Sequence, residues 1–224
     1  GEAIGAADIA LFASLGMRQI AAHRRPRVAV VSTGDELTRV GDSLPLGAIY
    51  DSNSHLMAAL VRCGAGEVVS ATRLTDDVAV ARTALRELAA SCDLIVTMGG
   101  ISAGAYEVIK EVFAELGGVT FASVAVQPGK PQGFGFIDGT PLIALPGNPV
   151  SSLVSFELFV RPALRKMGGF ANVDRPRLKA RTATSIKSSP DRIRYVPARL
   201  DMAQALVTPA SRHASHMLGA VAGS

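Results

Sequence analysis

The feature that most constrains this chain is the regular exchange of strand-like and helix-like segments between Arg27 and Gly169. Val28 to Ser32, Glu67 to Thr72 and Leu94 to Thr97 are short apolar or β-branched runs, and between them lie Ser54 to Arg62 and Val78 to Ala90, each of helical length. Strands separated by helices return in the same direction, so the pattern predicts a mostly parallel sheet with helices on both faces, a three-layer α/β/α fold. The helix from Val78 has the firmest signature. Val78, Ala81, Leu85 and Leu88 recur at helical spacing behind Thr75, Asp76 and Asp77, which supply start signals. Further along, the order reads as a helix Val108 to Leu116 closed by Gly117 and Gly118, strands at Val119 to Val126, Phe134 to Ile137 and Leu142 to Leu145, and a helix Val150 to Met167. Asp138-Gly139 is a turn between strands, and Pro162 is expected to kink or interrupt the last helix.

Outside that core the character changes. Residues 1–25 read as the remnant of a preceding domain and a linker, with a short helix from Asp8 to Leu15, and residues 26–169 as the α/β domain. Residues 170–224 hold nine Lys/Arg against three Asp/Glu, and Arg177 to Ser185 and Arg192 to Leu200 resemble strands of a small, incomplete antiparallel β domain. A basic excess of this kind suits an anionic small molecule, a nucleic acid or a solvated face. The scarcity of aromatics in the tail argues against stacking on nucleic acid. Apolar runs stay far below the roughly 20 residues a membrane span needs, so membrane insertion is not expected, the first residues lack a secretory pattern, and two cysteines without paired spacing fit a reducing cytoplasm. Cys63 and Cys92 lack metal or redox spacing and are expected to be buried structural thiols.

In an open parallel sheet, ligands bind where strands end and helices begin. Four unusual loops fall at those ends: Ser32-Thr33-Gly34-Asp35-Glu36, Thr97 to Gly104, Gln127 to Pro131, and Pro146-Gly147-Asn148-Pro149-Val150-Ser151. Gly99, Gly100 and Gly104 remove side chains so that amides can close on an anion, with Ser102 as a further donor. The loop matches neither the Walker pattern nor the dinucleotide fingerprint. Asp35, Glu36, Asp76, Asp77 and Glu107 follow strand ends, and converging carboxylates suit Mg²⁺, which takes one or two of them together with substrate phosphates. Asp76 or Asp77 also qualifies as a helix cap, as does Asp51-Ser52-Asn53-Ser54 for the next helix. Lys130, stiffened by Pro128 and Pro131, presents a fixed positive charge. Pro149 at a helix start leaves Asn148 and Ser151 beside free amides.

These motifs, in this order, resemble the molybdopterin molybdenumtransferase family, known in bacteria as MoeA and in animals as part of gephyrin. The resemblance rests on Val31-Ser32-Thr33-Gly34-Asp35-Glu36-Leu37, Asp51-Ser52-Asn53, Thr97 to Gly104, Pro128-Gly129-Lys130-Pro131 and Leu145 to Ser151. It implies that adenylylated molybdopterin and molybdate are converted to molybdenum cofactor with release of AMP, assisted by Mg²⁺. By the same resemblance Glu36, Asp76 and Glu107 are the functional carboxylates and candidate Mg²⁺ ligands. Thr33, Gly34, Asp35, Asn53 and the loop of Thr97, Gly99, Gly100, Ser102 and Gly104 hold the pterin-phosphate part. Pro128, Lys130, Pro131, Pro146, Gly147, Asn148 and Ser151 face substrate, Lys130 and Ser151 holding molybdate. Arg192 and Ser215 match residues of the family's final domain. Glu107 stands where the family pattern has Asp, Gln127 where a Lys is frequent and Met98 where a Ser is common.

The family is homodimeric in full length, with upstream domains that complete the partner's site, and molybdopterin adenylyltransferase and molybdoenzymes are implied partners. Two other readings are a gephyrin-like scaffold that binds partner peptides and a related adenylyltransferase domain.

Overall fold

The computed structural model describes residues 1–101, 108–116, 118–187, 189–210 and 216–222. An isolated helix α1 (Ala6–Ser14) buries none of its side chains. The α/β unit follows with β1 (Arg27–Thr33), the short β2 (Leu37–Thr38) and β3 (Ile49–Tyr50), α2 (Asn53–Cys63), β4 (Glu67–Leu74), α3 (Val78–Ala89), β5 (Leu94–Met98), α4 (Val108–Leu116), β6 (Val119–Ser123), β7 (Val126–Gln127), β8 (Pro131–Ile137) and β9 (Thr140–Leu145). It closes with α5 (Pro149–Ser155), a π turn (Phe156–Val160) and α6 (Arg161–Met167). The tail adds β10 (Arg181–Thr182), β11 (Ile193–Arg194), β12 (Ala198–Asp201), β13 (Leu206–Pro209) and a 3₁₀ turn (Leu218–Ala220).

The main sheet has the order β4-β1-β5-β9-β8-β6. β4, β1, β5 and β9 are mutually parallel, whereas β8 is antiparallel to both β9 and β6. Side chains alternate along each strand, so one chain feeds two cores. Ala29, Val31, Ile95, Leu142 and Ala144 pack with Leu85 of α3 and with Ile109 and Val112 of α4. Val28, Val30, Leu94, Val96, Met98, Ile143 and Leu145 pack with Met57 and Val61 of α2 and with Phe156, Val160 and Leu164. This is the expected three-layer arrangement. β1 and β5 are covered on both faces, which is why both read as unbroken apolar runs rather than alternating ones.

The helix ends follow local chemistry. Asp77 caps α3, its carboxylate accepting from the Val80 amide at 3.0 Å. Pro162 cannot donate to the carbonyl four residues back, and the expected interruption takes the form of the π turn immediately before it. Asp93 anchors the start of the sheet by accepting from Arg24 at 2.5 and 2.7 Å and from the Arg27 amide at 2.7 Å. The Arg24 guanidinium holds the Asp93 carboxyl below the usual carboxylate range. Arg161 is buried, donates to the Val173 carbonyl at 2.7 Å and lies 3.8 Å from Glu157, which also binds Arg175, so the first residues of the tail are tied to the last helix.

Several expectations need correction. Cys63 is exposed, because it closes α2 on the side away from Met57 and Val61; Cys92 is half-buried, and burial pushes its thiol up. The strand from Val119 breaks at Val124 and Ala125, where Val124 donates to the Lys130 carbonyl at 2.8 Å and the chain turns into the separate β7. The tail sheet, β10-β13-β12, is mixed rather than antiparallel, since β10 runs parallel to β13 while β12 is antiparallel to it. The strand expected over Arg177 to Ser185 shrinks to Arg181–Thr182, the residues that lie in register with β13. No helix among the described residues is long and apolar enough to cross a membrane.

Candidate functional site

Because β1, β4, β5 and β9 are parallel, their carboxyl ends at Thr33, Leu74, Met98 and Leu145 share one edge of the sheet. β8 runs the other way, with Gly133 opposite Ala144, so the loop that leads into its first residue, Pro131, arrives at that same edge. The chain goes from β1 outward to β4, then returns to the other side of β1 as β5. That reversal opens a crevice between the ends of β1 and β5, the ordinary ligand position in an open α/β sheet.

The crevice is built from close backbone approaches. Gly99 and Gly100 have φ of +91° and +66°, and a Cβ on Gly99 would stand 2.8 Å from the Thr33 carbonyl oxygen. Thr33 is buried and its hydroxyl donates to the Met98 carbonyl at 3.4 Å. The Gly99 amide donates to the Leu145 carbonyl at 3.1 Å, and a Cβ on Gly147 would stand 3.4 Å from the Gly99 Cα. Three of the four loops therefore touch. Thr97 is fully buried beneath them, and its hydroxyl oxygen has no hydrogen-bond partner among the described residues. Ser102, Gly104 and Glu107 lie outside the described residues, as does Ser215.

The carboxylates divide into different roles. Asp77 is the helix cap, which leaves Asp76 to face the β1 loop. Asp35 and Asp76 clasp each other: the Asp35 amide donates to Asp76 Oδ2 at 3.4 Å and the Asp76 amide to Asp35 Oδ1 at 3.3 Å. Glu36 folds back over Gly34, where any Cβ would fall 2.4 Å from Glu36 Oε2. Among the described residues no group of three or more His, Cys, Asp or Glu is arranged to hold a metal ion. Glu36 and Asp76 stand on the loops that follow β1 and β4, which the Asp35–Asp76 clasp ties together.

Asp51 is buried, accepts from the Ser32 hydroxyl at 2.6 Å and from the Ser54 amide at 3.0 Å, and thereby starts α2. Asn53 is thus free of capping. Its Nδ2 donates to the Gly147 carbonyl at 2.5 Å, and its Oδ1 is buried with no partner among the described residues. Asp35, Glu36 and Asp51 also border a broad cavity of about 1070 Å³ beside the β2–β3 ladder, together with Arg39, His55 and Arg73.

On the far side, Gln127–Pro128 is a cis peptide and Gly129 has φ of +103°. A Cβ on Gly129 would lie 2.9 Å from Ser155 Oγ and 3.7 Å from the Ser151 carbonyl oxygen, so this loop packs on the first turns of α5. Gln132 Nε2 fixes it by donating to the Gly129 carbonyl at 2.7 Å and to Ser155 Oγ at 2.6 Å. Ser151 is buried there. Asn148 occupies the N-cap position of α5 with Pro149 at the first turn but makes no side-chain capping bond, and Ser152 Oγ donates to the Pro146 carbonyl at 2.6 Å.

Lys130 is exposed between two small cavities. One, of about 210 Å³, is shared with Asp191, Arg192 and Ser123 to Val126; the other, of about 300 Å³, with Ile101, Lys110, Phe121 and Gln132. Arg192 reaches the first because β11 pairs with β7, the Ile193 amide donating to the Ala125 carbonyl at 2.9 Å and the Tyr195 amide to the Gln127 carbonyl at 2.8 Å. Sequence reasoning missed Lys110, Gln132 and Asp191. The available signal was a polar amide, Gln132, at the head of an otherwise apolar strand.

Comparison with known proteins agrees with this layout. Residues 29–166 match a family described as "Probable molybdopterin binding domain", and residues 179–224 match one described as "MoeA C-terminal region (domain IV)". The chain is 43% identical to molybdopterin molybdenumtransferase 2 of Mycobacterium tuberculosis, over 97% of its own length and 55% of that protein. It is 34% identical to gephyrin of Dictyostelium discoideum, over 76% of its length and 28% of gephyrin. A crystal structure of a molybdopterin biosynthesis MoeA protein from Pyrococcus horikoshii superposes with a TM-score of 0.82 at 30% identity, over 99% of this chain and 54% of that one. The chain thus spans about half the length of the molybdenumtransferase it matches. With a molybdopterin-binding unit followed by a MoeA-type C-terminal region, the chain belongs to the molybdopterin molybdenumtransferase family.

Proposed function

We propose that this chain supplies the substrate-binding unit of a molybdenum insertase, which transfers molybdate into adenylylated molybdopterin and releases AMP. Membership of a molybdenum cofactor biosynthesis family gives the reaction area. The observation that carries the finer reading is the meeting of Lys130 and Arg192 in one cavity at the sheet edge that also bears Glu36, Asp76 and the Gly99–Gly100 turn. A pterin side-chain phosphate suits the glycine turn, whose two residues carry no side chains and hold a left-handed backbone. Lys130 and Arg192 concentrate a dianionic oxyanion beside the dithiolene, with Ser151 under the loop as a further contact. Asn53 Oδ1, a buried acceptor without a partner among the described residues, suits a pterin or ribose donor.

Mg²⁺ held by Glu36, Asp76 and the substrate phosphates would neutralise charge at the phosphoanhydride. Glu107 is a third candidate ligand by sequence. The clasp of Asp35 and Asp76 orients the second carboxylate by tying its loop to that of Glu36. Residues 26–169 would act as the pterin-binding domain and residues 170–224 as the arm that brings Arg192, in a homodimer whose other domains complete the site. The test is molybdate-dependent AMP release from adenylylated molybdopterin with Mg²⁺. Release is expected once those other domains are present, and its absence from such a homodimer while a full-length relative turns over in parallel excludes the insertase reading.

The likeness to gephyrin supports a second reading, a scaffold that binds partner peptides. Peptide capture that survives Lys130→Ala and Glu36→Ala, with no loss of cofactor formation in cells, favours the scaffold over the enzyme.

A further inference from the structure

The loop from Gln127 to Pro131, which carries Lys130, has few means of holding itself. Pro128 and Pro131 have no amide hydrogen to donate, and Gly129, at φ of +103°, is a residue whose backbone adopts many conformations at little cost. The loop is held from outside, by a donor to each of three carbonyls. The Tyr195 amide donates to the Gln127 carbonyl at 2.8 Å and the Val124 amide to the Lys130 carbonyl at 2.8 Å, both bonds between main-chain groups. The third donor is a side chain. Gln132 Nε2 donates to the Gly129 carbonyl at 2.7 Å and to Ser155 Oγ at 2.6 Å, which joins the loop to α5. Ser155 and Ser151 lie one turn apart on that helix and are both buried. Gln132 itself is 8% exposed, and its amide oxygen is buried with no partner among the described residues. An apolar side chain would therefore suit the folding of β8 better. A polar group kept against that preference is expected where geometry matters more than stability.

We propose that Gln132 is a positioning residue for Lys130: by clamping the Gly129 carbonyl to Ser155 it sets the separation between Lys130 and Ser151, and with it the affinity of the site for molybdate. Gln132 is too deeply buried to touch the ligand and acts only through the lysine. Lys130 is thereby placed from two sides. The Tyr195 bond, next to the β7–β11 ladder, fixes the loop relative to Arg192, and the Gln132 clamp fixes it relative to α5. Removing the clamp frees the second side and leaves the first intact. This inference rests on the reading of Lys130 as an oxyanion ligand.

The test is a double-mutant cycle read by calorimetric titration of the intact chain with molybdate at constant ionic strength. Lys130→Ala should weaken binding by about tenfold, the scale of one hydrogen bond to a charged group, and Arg192 keeps the remaining affinity measurable. Gln132→Met, which fills the same space without a donor, should weaken binding by about fivefold in the parent and by less than about twofold in the Lys130→Ala background, because a residue that acts through the lysine has nothing left to act on. A general loosening of the fold would weaken both backgrounds alike. Ser155→Ala leaves the Gly129 bond in place and should show the same pattern at about half the effect; it carries the cycle if Gln132→Met does not fold. Parent-like affinity in the clamp variant, or a loss as large without Lys130 as with it, overturns the proposal. Molybdate that does not bind the parent, or that binds Lys130→Ala as tightly as the parent, overturns the reading of Lys130 itself, and so distinguishes the two failures.

Discussion

Strands β5 and β12 show two ways of holding a segment in place. All five residues of β5 are buried, lying between helices on both faces, while three of the four residues of β12 are exposed and none is buried. The first is fixed by apolar packing on two sides, the second by main-chain pairing to β13 alone. The main sheet thus provides the stable base on which the strand-end loops are shaped, and the tail contributes Arg192 through ladder hydrogen bonds with little core of its own. A site assembled from both can keep one wall rigid while the other yields.

The sharpest way to break that comparison is to empty the base. Ile95→Ala, at a fully buried position, should lower stability by about 2–5 kcal/mol, whereas Leu206→Ala on half-buried β13 should cost less than about 1 kcal/mol. Urea midpoints read the difference, and equal losses would mean that the tail has a core that its burial does not reveal. Next in size is a change that should spare the base altogether. Lys130→Ala, at an exposed loop, should leave the midpoint within about 0.5 kcal/mol yet reduce molybdate-dependent AMP release by about 100-fold, the scale of one lost oxyanion contact.

Gly99→Ala probes the seam between base and loops. Its Cβ would meet the Thr33 carbonyl in a left-handed conformation, so a loss of about 1–3 kcal/mol is expected, together with weaker substrate binding; a thermal melt and a binding titration measure both. The smallest effect concerns the anchor of Arg24 at Asp93. The Asp93 carboxyl is held down in the folded chain, so its contribution is present above the ordinary carboxylate range and is lost as pH falls through its lowered folded value. Asp93→Asn should accordingly lower the melting temperature slightly at neutral pH and leave the variant and parent indistinguishable at strongly acid pH. A difference that grows on acidification would reverse the assignment.

Much of the base was legible because buried parallel strands announce themselves as apolar runs and because Asp77, Pro149 and Pro162 act locally. The β2–β3 ladder was not, since Leu37 and Ile49 pair across a ten-residue excursion that no periodicity marks. The same holds for β7 with β11, two-residue strands more than sixty positions apart. The strand-end loops could be located from topology, and their closeness follows from glycines whose neighbours leave no room for a side chain. Arg192 was reachable only through family resemblance. Lys110 and Gln132 escaped because a lysine on a helix and a glutamine in a strand are ordinary until the fold sets them around one cavity.

The pairing of β11 with β7 has a consequence for how this architecture tolerates change. Arg192 sits one residue before Ile193, which is in register with Val126, and Lys130 lies four residues after Val126. The spacing of the two cations is therefore written in ladder register, not in the length of the exposed stretch from Arg177 to Ala180 that leads to the tail. Residues gained or lost in that stretch would lengthen or shorten a tether without retuning the pocket, leaving chain length there free to drift.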